Sequence, residues 1–336
     1  MVSQKPWLEQ WKSLASLDKT IRDYAEAIGP DIKGSELSFV PSHDRDGCLI
    51  HRSDTDEYYA ISEWAQKQLY THFGVRPKWF SYVDSDQHAS ELNLRLRHTQ
   101  DHKFRTLRVP SADFYGVRGF VSPVYSDVPD TTVLDALKTA FGDAELAKVL
   151  PGAGKTDQCL YAHVINSEAL AIPTAHGEVY AGLTVLNSEV GYTSLRVLPV
   201  MFWDWNFSVI PIPSGKLYRR IHRGKFTNLA EDFEGVVRDN AKYVGDVTEM
   251  MRGLADVSFP SEDEAAKALY KMVVSARGTK GFAQDCEHAY RKAGHAYHTG
   301  VTVVQTISDV AKNAISQDEV FNLSSIAGAV AVHLTS

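Results

Sequence analysis

Val179-Tyr180-Ala181-Gly182-Leu183-Thr184-Val185-Leu186 and Leu195-Arg196-Val197-Leu198-Pro199-Val200-Met201 flank the short loop Asn187 to Gly191. On the first side Val179, Ala181, Leu183 and Val185 recur every second residue, and on the second side Leu195, Val197 and Met201 do the same. Period two on both sides of a turn is the pattern of an antiparallel hairpin with one face on a core. Leu183, Val185, Leu195 and Val197 are therefore expected inside, and Tyr180, Tyr192 and Arg196 on the other face. A one-residue slip would invert every side chain, so the register is strongly specified.

Working outward, the turn cluster Pro211 to Gly215 leads into a further strand, Leu217 to His222. Upstream, Phe104 to Val109 and Tyr115 to Val121 surround Pro110-Ser111-Ala112-Asp113 and propose a second hairpin, with Arg105, Arg108 and Arg118 riding on it. Ser62 opens a helix that runs to Phe73 and stops at Gly74, and Asp130-Thr131-Thr132 caps another from Val133 to Phe141. The first fifty residues read as a helix from Trp7 to Ile28 followed by loops and a short strand. Beyond residue 226 the period changes: Leu229, Phe233, Val236, Val244, Val247, Met251 and Leu254 fall at helical spacing. Four further helical stretches follow, including Thr302 to Ala314 and Glu319 to His333. The expected fold class is α+β, an antiparallel sheet with a long helix packed on it and a helical C-terminal third. Three regions are expected: an irregular and helical segment 1–54, a strand-rich core 55–226 and a helical region 227–336.

The composition is globular: 336 residues with 44% apolar and 23% charged side chains suffice to bury a core. Cys48, Cys159 and Cys286 are odd in number and widely separated, unlike a secreted disulfide framework. The opening residues lack an apolar signal region, and the apolar run Ile326 to Val332 is far short of the roughly 20 residues that span a bilayer. The expectation is a protein of the bacterial cytoplasm with no membrane contact. The net charge of −7 disfavours whole-surface attraction to nucleic acid, but charge is segregated along the chain. Between Trp205 and Ala230 there is no acid, against five bases at Lys216, Arg219, Arg220, Arg223 and Lys225. From Glu231 to Glu264 ten acids face three bases.

Motifs for small-molecule chemistry are weak. Gly154-Lys155-Thr156 ends like a phosphate-binding loop, yet that loop needs a glycine where Val149 stands and a preceding buried strand; it reads as an ordinary flexible loop. Cys286, His288, His295 and His298 gather metal-ligating types without the spacing of a zinc site. Asp44 with Asp46 and Asp84 with Asp86 are spaced to project together and hold Mg²⁺ for a nuclease, but they sit where aspartate commonly caps turns. No cofactor is expected and nothing nominates a nucleophile. The basic runs say more. Arg219, Arg220, Arg223, Lys225, Arg196 and Tyr192 are the first candidates for a groove that tracks phosphates and stacks bases, with Arg105, Arg108 and Arg118 second.

Gly177 to Pro199, with its glycine-punctuated strand, Asn187-Ser188-Glu189-Val190-Gly191 turn and returning strand, resembles the phage and plasmid family known as "domain of unknown function 932". Arg118-Gly119-Phe120-Val121-Ser122-Pro123-Val124-Tyr125 and Arg220-Ile221-His222-Arg223-Gly224-Lys225 match its upstream strand end and its Arg-x-His-x-Gly segment. The resemblance covers roughly residues 55 to 330. It departs at Trp203-Asp204-Trp205-Asn206-Phe207, where members carry Cys-x-Asn-Gly. It implies mobile-element biology and an outline similar to phage single-strand annealing proteins of the Rad and Red-beta type. The reading is therefore a single-stranded DNA- or RNA-binding homo-oligomer without catalysis, an annealing or recombination factor. The alternatives are a metal-dependent nuclease and a non-catalytic protein-interaction factor.

Overall fold

Strand pairing, not the expected boundary near residue 54, organises the N-terminal half. The computed structural model describes residues 14–42, 48–76, 78, 82–108, 115–141, 148–149, 153–170, 178–204, 207–212, 218–223, 228–238 and 240–336. After α1 (Leu14–Glu26), strands β1 (Ile32–Lys33), β2 (Leu37–Pro41), β3 (Cys48–Arg52) and β4 (Glu57–Ile61) join β5 (Lys103–Arg108) and β6 (Tyr115–Val121) in a six-stranded sheet ordered β1-β5-β6-β4-β3-β2. All neighbours are antiparallel except β4 and β6. Residues 32–61 thus supply four of its strands, and a division at 54 would cut between the paired β3 and β4. Helices α2 (Glu63–Phe73) and α3 (Ser85–Leu96) cover this sheet over Ile50, Leu69, Leu92, Phe104 and Phe120. Both start as their caps dictate: the Ser62 hydroxyl accepts from Ala65 N–H, and the Asp84 carboxylate accepts from Gln87 N–H.

After α4 (Asp130–Phe141) come β7 (Lys148–Val149), β8 (Gly154–Lys155), β9 (Leu160–Leu170), β10 (Val179–Asn187), β11 (Leu195–Trp203), β12 (Ser208–Pro211) and β13 (Tyr218–Arg220). They form a seven-stranded antiparallel sheet ordered β12-β11-β10-β9-β7, with β13 on β11 and β8 on β9. The hairpin register is the expected one: Val185 lies opposite Val197, and Leu183, Val185, Leu195 and Val197 are buried against α1, α4 and α5 (Leu229–Arg238). The other face is not open, however. Thr184, Leu186, Leu198 and Val200 are buried as well, and Tyr192 lies in the loop beyond β10, outside the strand.

The helical C-terminal region holds α6 (Asn240–Asp256), α7 (Glu262–Ser275), α8 (Lys280–Ala293), α9 (Gly300–Ala311) and α10 (Gln317–Thr335). They share a core with Val179, Ala181, Met201, Trp203 and Ile210 of the large sheet. The long helix packed on the sheet is α10. Its Phe321 sits 5.1 Å from the Tyr161 ring and stacks on His163, closing the second face. The protein is α+β, with antiparallel sheets and a helical C-terminal region. No described helix is long and apolar enough to cross a membrane.

Candidate nucleic-acid interface

The loop between β10 and β11 joins the two sheets. The Asn187 amide donates to Val128 O at 2.8 Å and to Asp130 at 2.6 Å. The Ser188 hydroxyl donates to Gln158 O at 2.6 Å and accepts from Tyr192 N–H at 2.9 Å. Glu189 accepts from Arg118 at 2.8 Å and from Asp130 N–H at 3.0 Å. Val190 O accepts from Gln68 and Trp64 of α2 at 2.7 and 3.1 Å. Gly191, at φ +75°, takes the left-handed conformation that ends the turn and donates to the Tyr125 hydroxyl at 3.1 Å. The approach is close: a Cβ on Gly119 of β6 would lie 2.7 Å from the Val190 side chain.

Under this loop lies a buried ionic knot. Lys155 Nζ is 2.7 Å from Asp130 and 3.9 Å from Glu189, and the side chains of Arg118, Lys155, Asp130 and Glu189 are all within 5% of full burial. Two cations and two anions balance, as burial demands. Burial raises the Asp130 carboxyl to about 6 against the pull of Lys155. Burial also acts upward on Glu189, but Lys155 and Arg118 outweigh it and hold that carboxyl below its ordinary value. The Lys155 amine would fall on burial, yet Asp130 and Glu189 keep it above its usual range. Among the described residues Arg118 Nε and Nη2 have no hydrogen-bond partner, and the Tyr24 ring centroid, 5.7 Å from the guanidinium and 5.0 Å from Lys155 Nζ, supplies a cation–π surface instead. Beside it Arg105 pairs with Asp127, with Asp31 at 3.1 Å, and donates to the Glu189 backbone carbonyl.

The second arrangement is cationic and open. β13 places Arg219 directly opposite Arg196 of β11. Arg219 is exposed and Arg196 half-buried. Both guanidinium groups turn to one hydroxyl, Ser194 Oγ, at 2.9 Å from Arg196 Nε and 3.3 Å from Arg219 Nε. No carboxylate among the described residues pairs with either. Burial first, and then Arg219, lowers the pKa of Arg196. Two residues before Ser194, the Tyr192 ring meets Trp64 edge-on at 5.0 Å, and its hydroxyl accepts from Asn322 at 2.7 Å.

Trp64 in turn forms a wall of a cleft of about 330 Å³ between α2, β6 and the 187–191 loop. Lys67 Nζ lies 5.9 Å from the Trp64 ring centroid. On the far wall His102 stacks on Phe120 at 4.9 Å, with His72 4.5 Å from His102.

The residues nominated from sequence are therefore divided. Arg196 and Arg219 come together, and Tyr192 stands two residues before the serine they share, in contact with Trp64. Arg220 projects to the opposite face of the sheet, where it lies 3.5 Å from Asp232 at the start of α5, and that carboxylate also accepts from the Tyr218 hydroxyl. Arg223 and Arg108 are exposed, and Lys216 and Lys225 lie outside the described residues. Arg105 and Arg118, expected on a groove, are instead buried ion-pair partners, because the strands that carry them face the 187–191 loop and not solvent. Lys155, expected in a flexible loop, is on β8 in the ionic knot. Asp84 caps α3 and Asp86 lies in its first turn; Asp44 and Asp46 fall outside the described residues. No group of three or more His, Cys, Asp or Glu among the described residues is placed to hold a metal. Cys286 is in the C-terminal core, while His298 and His295 bond to Tyr290 and Thr306 at 3.2 and 3.3 Å. Sequence reasoning missed Trp64, Lys67, His72 and His102; the aromatic and basic residues at 64, 67 and 72 on one short helix were the available signal.

In comparisons with known proteins, no family model, no curated protein and no solved structure matches the chain.

Proposed function

We propose that the protein binds single-stranded nucleic acid, DNA or RNA, through the Arg196–Arg219 pair and the rings of Tyr192 and Trp64, and serves as an annealing factor of a mobile element. One observation carries the reading: two arginines stand directly opposite each other on neighbouring strands, and no acid among the described residues pairs with either. Like charges in that position are unfavourable. Acids are not scarce, since the chain has 42 against 35 bases, and Arg105, Arg118 and Arg220 each meet one. A pair left without a carboxylate is complementary to an anion from outside, and a half-buried guanidinium binds phosphate bidentately. Rings beside a phosphate site supply stacking surfaces that tolerate any base. Annealing asks for no acid, base or metal; it needs phosphates neutralised and a strand held extended. The resemblance at Gly177 to Lys225 belongs to this reading as its biological half.

The test is a salt series of binding to single-stranded DNA, duplex DNA and RNA. With both arginines replaced by alanine, the single-strand salt slope should fall by about 1.4, because each lost phosphate contact removes about 0.7 of released counterion. The variant should melt near the wild-type temperature. A folded variant with unchanged affinity and slope would remove this pair from any phosphate track.

A further inference from the structure

We infer that the cleft between Trp64 and the His102–Phe120 stack receives a nucleobase of the strand whose phosphates lie at Arg196 and Arg219. This rests on the single-strand reading and specifies its second half: where a base goes. Three observations carry it. The cleft and the cationic pair are linked by one ring contact and a short stretch of chain: Trp64 of its wall touches Tyr192, and Gly191, which also lines it, is three residues from Ser194. Three residues span at most about 11 Å, so one strand can reach both places. The second observation is chemistry. The lining holds four ring side chains, Trp64, His72, His102 and Phe120, together with Lys67, and none of the lining residues is a carboxylate. Asp101 acts on His102 from outside this lining; rings beside the Lys67 ammonium suit a planar group attached to a phosphate, and the lysine charge disfavours a cationic occupant.

The third observation is that the walls are braced before anything binds. Gln68, on the floor, donates to Val190 O at 2.7 Å and accepts from Phe120 N–H at 2.9 Å. Trp64 Nε1 donates to the same Val190 carbonyl at 3.1 Å. His102 lies nearly parallel to Phe120, at 15°, and presents one ring face away from it. A cleft of about 330 Å³ is at the small end of ligand sites and fits one ring system, not a folded peptide segment. A strand that rests its phosphates on Arg196 and Arg219 would seat one base there.

The experiment compares an oligothymidylate with an abasic strand of the same length and phosphate count. Wild-type protein should prefer the base-bearing strand by about tenfold or more, the worth of one stacked base. His72→Ala/His102→Ala should lose most of that preference and keep its salt slope, whereas Arg196→Ala/Arg219→Ala should lose slope and keep the preference. Photocrosslinking of wild-type protein to a strand carrying bromouracil reads the site without any variant; label on peptides containing Trp64 or His102 supports the cleft. Equal binding of the two strands, or crosslinks confined to other peptides, overturns the base site and leaves the phosphate track standing. Failure of wild-type protein to bind either strand at low salt overturns both.

Discussion

Arg118 and Arg196 carry the same guanidinium in opposite settings. Arg118 is almost fully buried, with Glu189 at 2.8 Å, Asp130 and Lys155 close by and the Tyr24 ring over its face. Arg196 is half-buried, faces Arg219 across the strand pair and shares with it only a serine hydroxyl. The first arrangement answers every charge from inside the molecule, which is what a low-dielectric interior requires. The second leaves charge to be answered from outside. The difference separates residues that hold the fold from residues that can meet a ligand, although charge and residue type are identical.

The largest expected effect comes from breaking the buried side of that contrast. Glu189→Ala leaves Arg118 and Lys155 facing one carboxylate in place of two, and should cost about 3–5 kcal/mol in urea or thermal unfolding. That is a large share of the roughly 5–15 kcal/mol a protein has. A loss below about 1 kcal/mol would mean that water reaches the knot. Such a result would erase the distinction between Arg118 and Arg196.

A smaller effect tests burial on the same sheet face that carries Arg196. His163 is fully enclosed, bonded to Thr184 at 2.7 Å and stacked by Phe321, and burial lowers its pKa to about 4. Because the unfolded chain takes up a proton near 6.5 and the folded one does not until about 4, the unfolded state gains protons first as pH falls. Stability should decline through that window, by on the order of 3 kcal/mol. Unfolding measured from pH 7 to pH 4 in wild type and His163→Asn checks this; the asparagine variant should show a flatter profile. Equal slopes would mean that α10 does not seal this face.

The smallest expected change in stability is at Arg196 itself. Arg196→Ala removes packed methylene groups but also relieves repulsion with Arg219, so unfolding should shift by less than about 1 kcal/mol in either direction. A loss as large as that of Glu189→Ala would reassign Arg196 to the structural class. It would also weaken the case for a phosphate track.

Much of the local structure was legible before any tertiary information. The hairpin register followed from the alternation around Leu183, Val185, Leu195 and Val197, and α2 ran from its Ser62 cap to Gly74 as its end signals require. Strand β9 left no such trace. Leu160, Ala162 and Val164 pack on one side, while Tyr161, His163 and Ile165 are buried on the other. With both faces covered there is no polar alternation to read. Strands β2 to β4 pair with one another in chain order, and only β4 meets a distant strand, β6; each is five residues long, too short for a period to stand out among the turns around it. The candidate groove was legible as a list of basic and aromatic residues, but not as a place.

What the sequence determined by itself was therefore whatever depends on neighbours along the chain: secondary-structure period, caps, turns, the α+β class and the pool of candidate cations. Only the tertiary structure decided which of those cations are paired. Arg118 finds Glu189 across 71 positions and Asp130 N–H finds the same carboxylate across 59, while Arg219 meets Arg196 and, among the described residues, no acid. An arginine has the same charge and reach wherever it stands in a sequence. Its role here follows from burial and from the sign of the charge opposite, both set by strand pairing over long separations that no local pattern encodes.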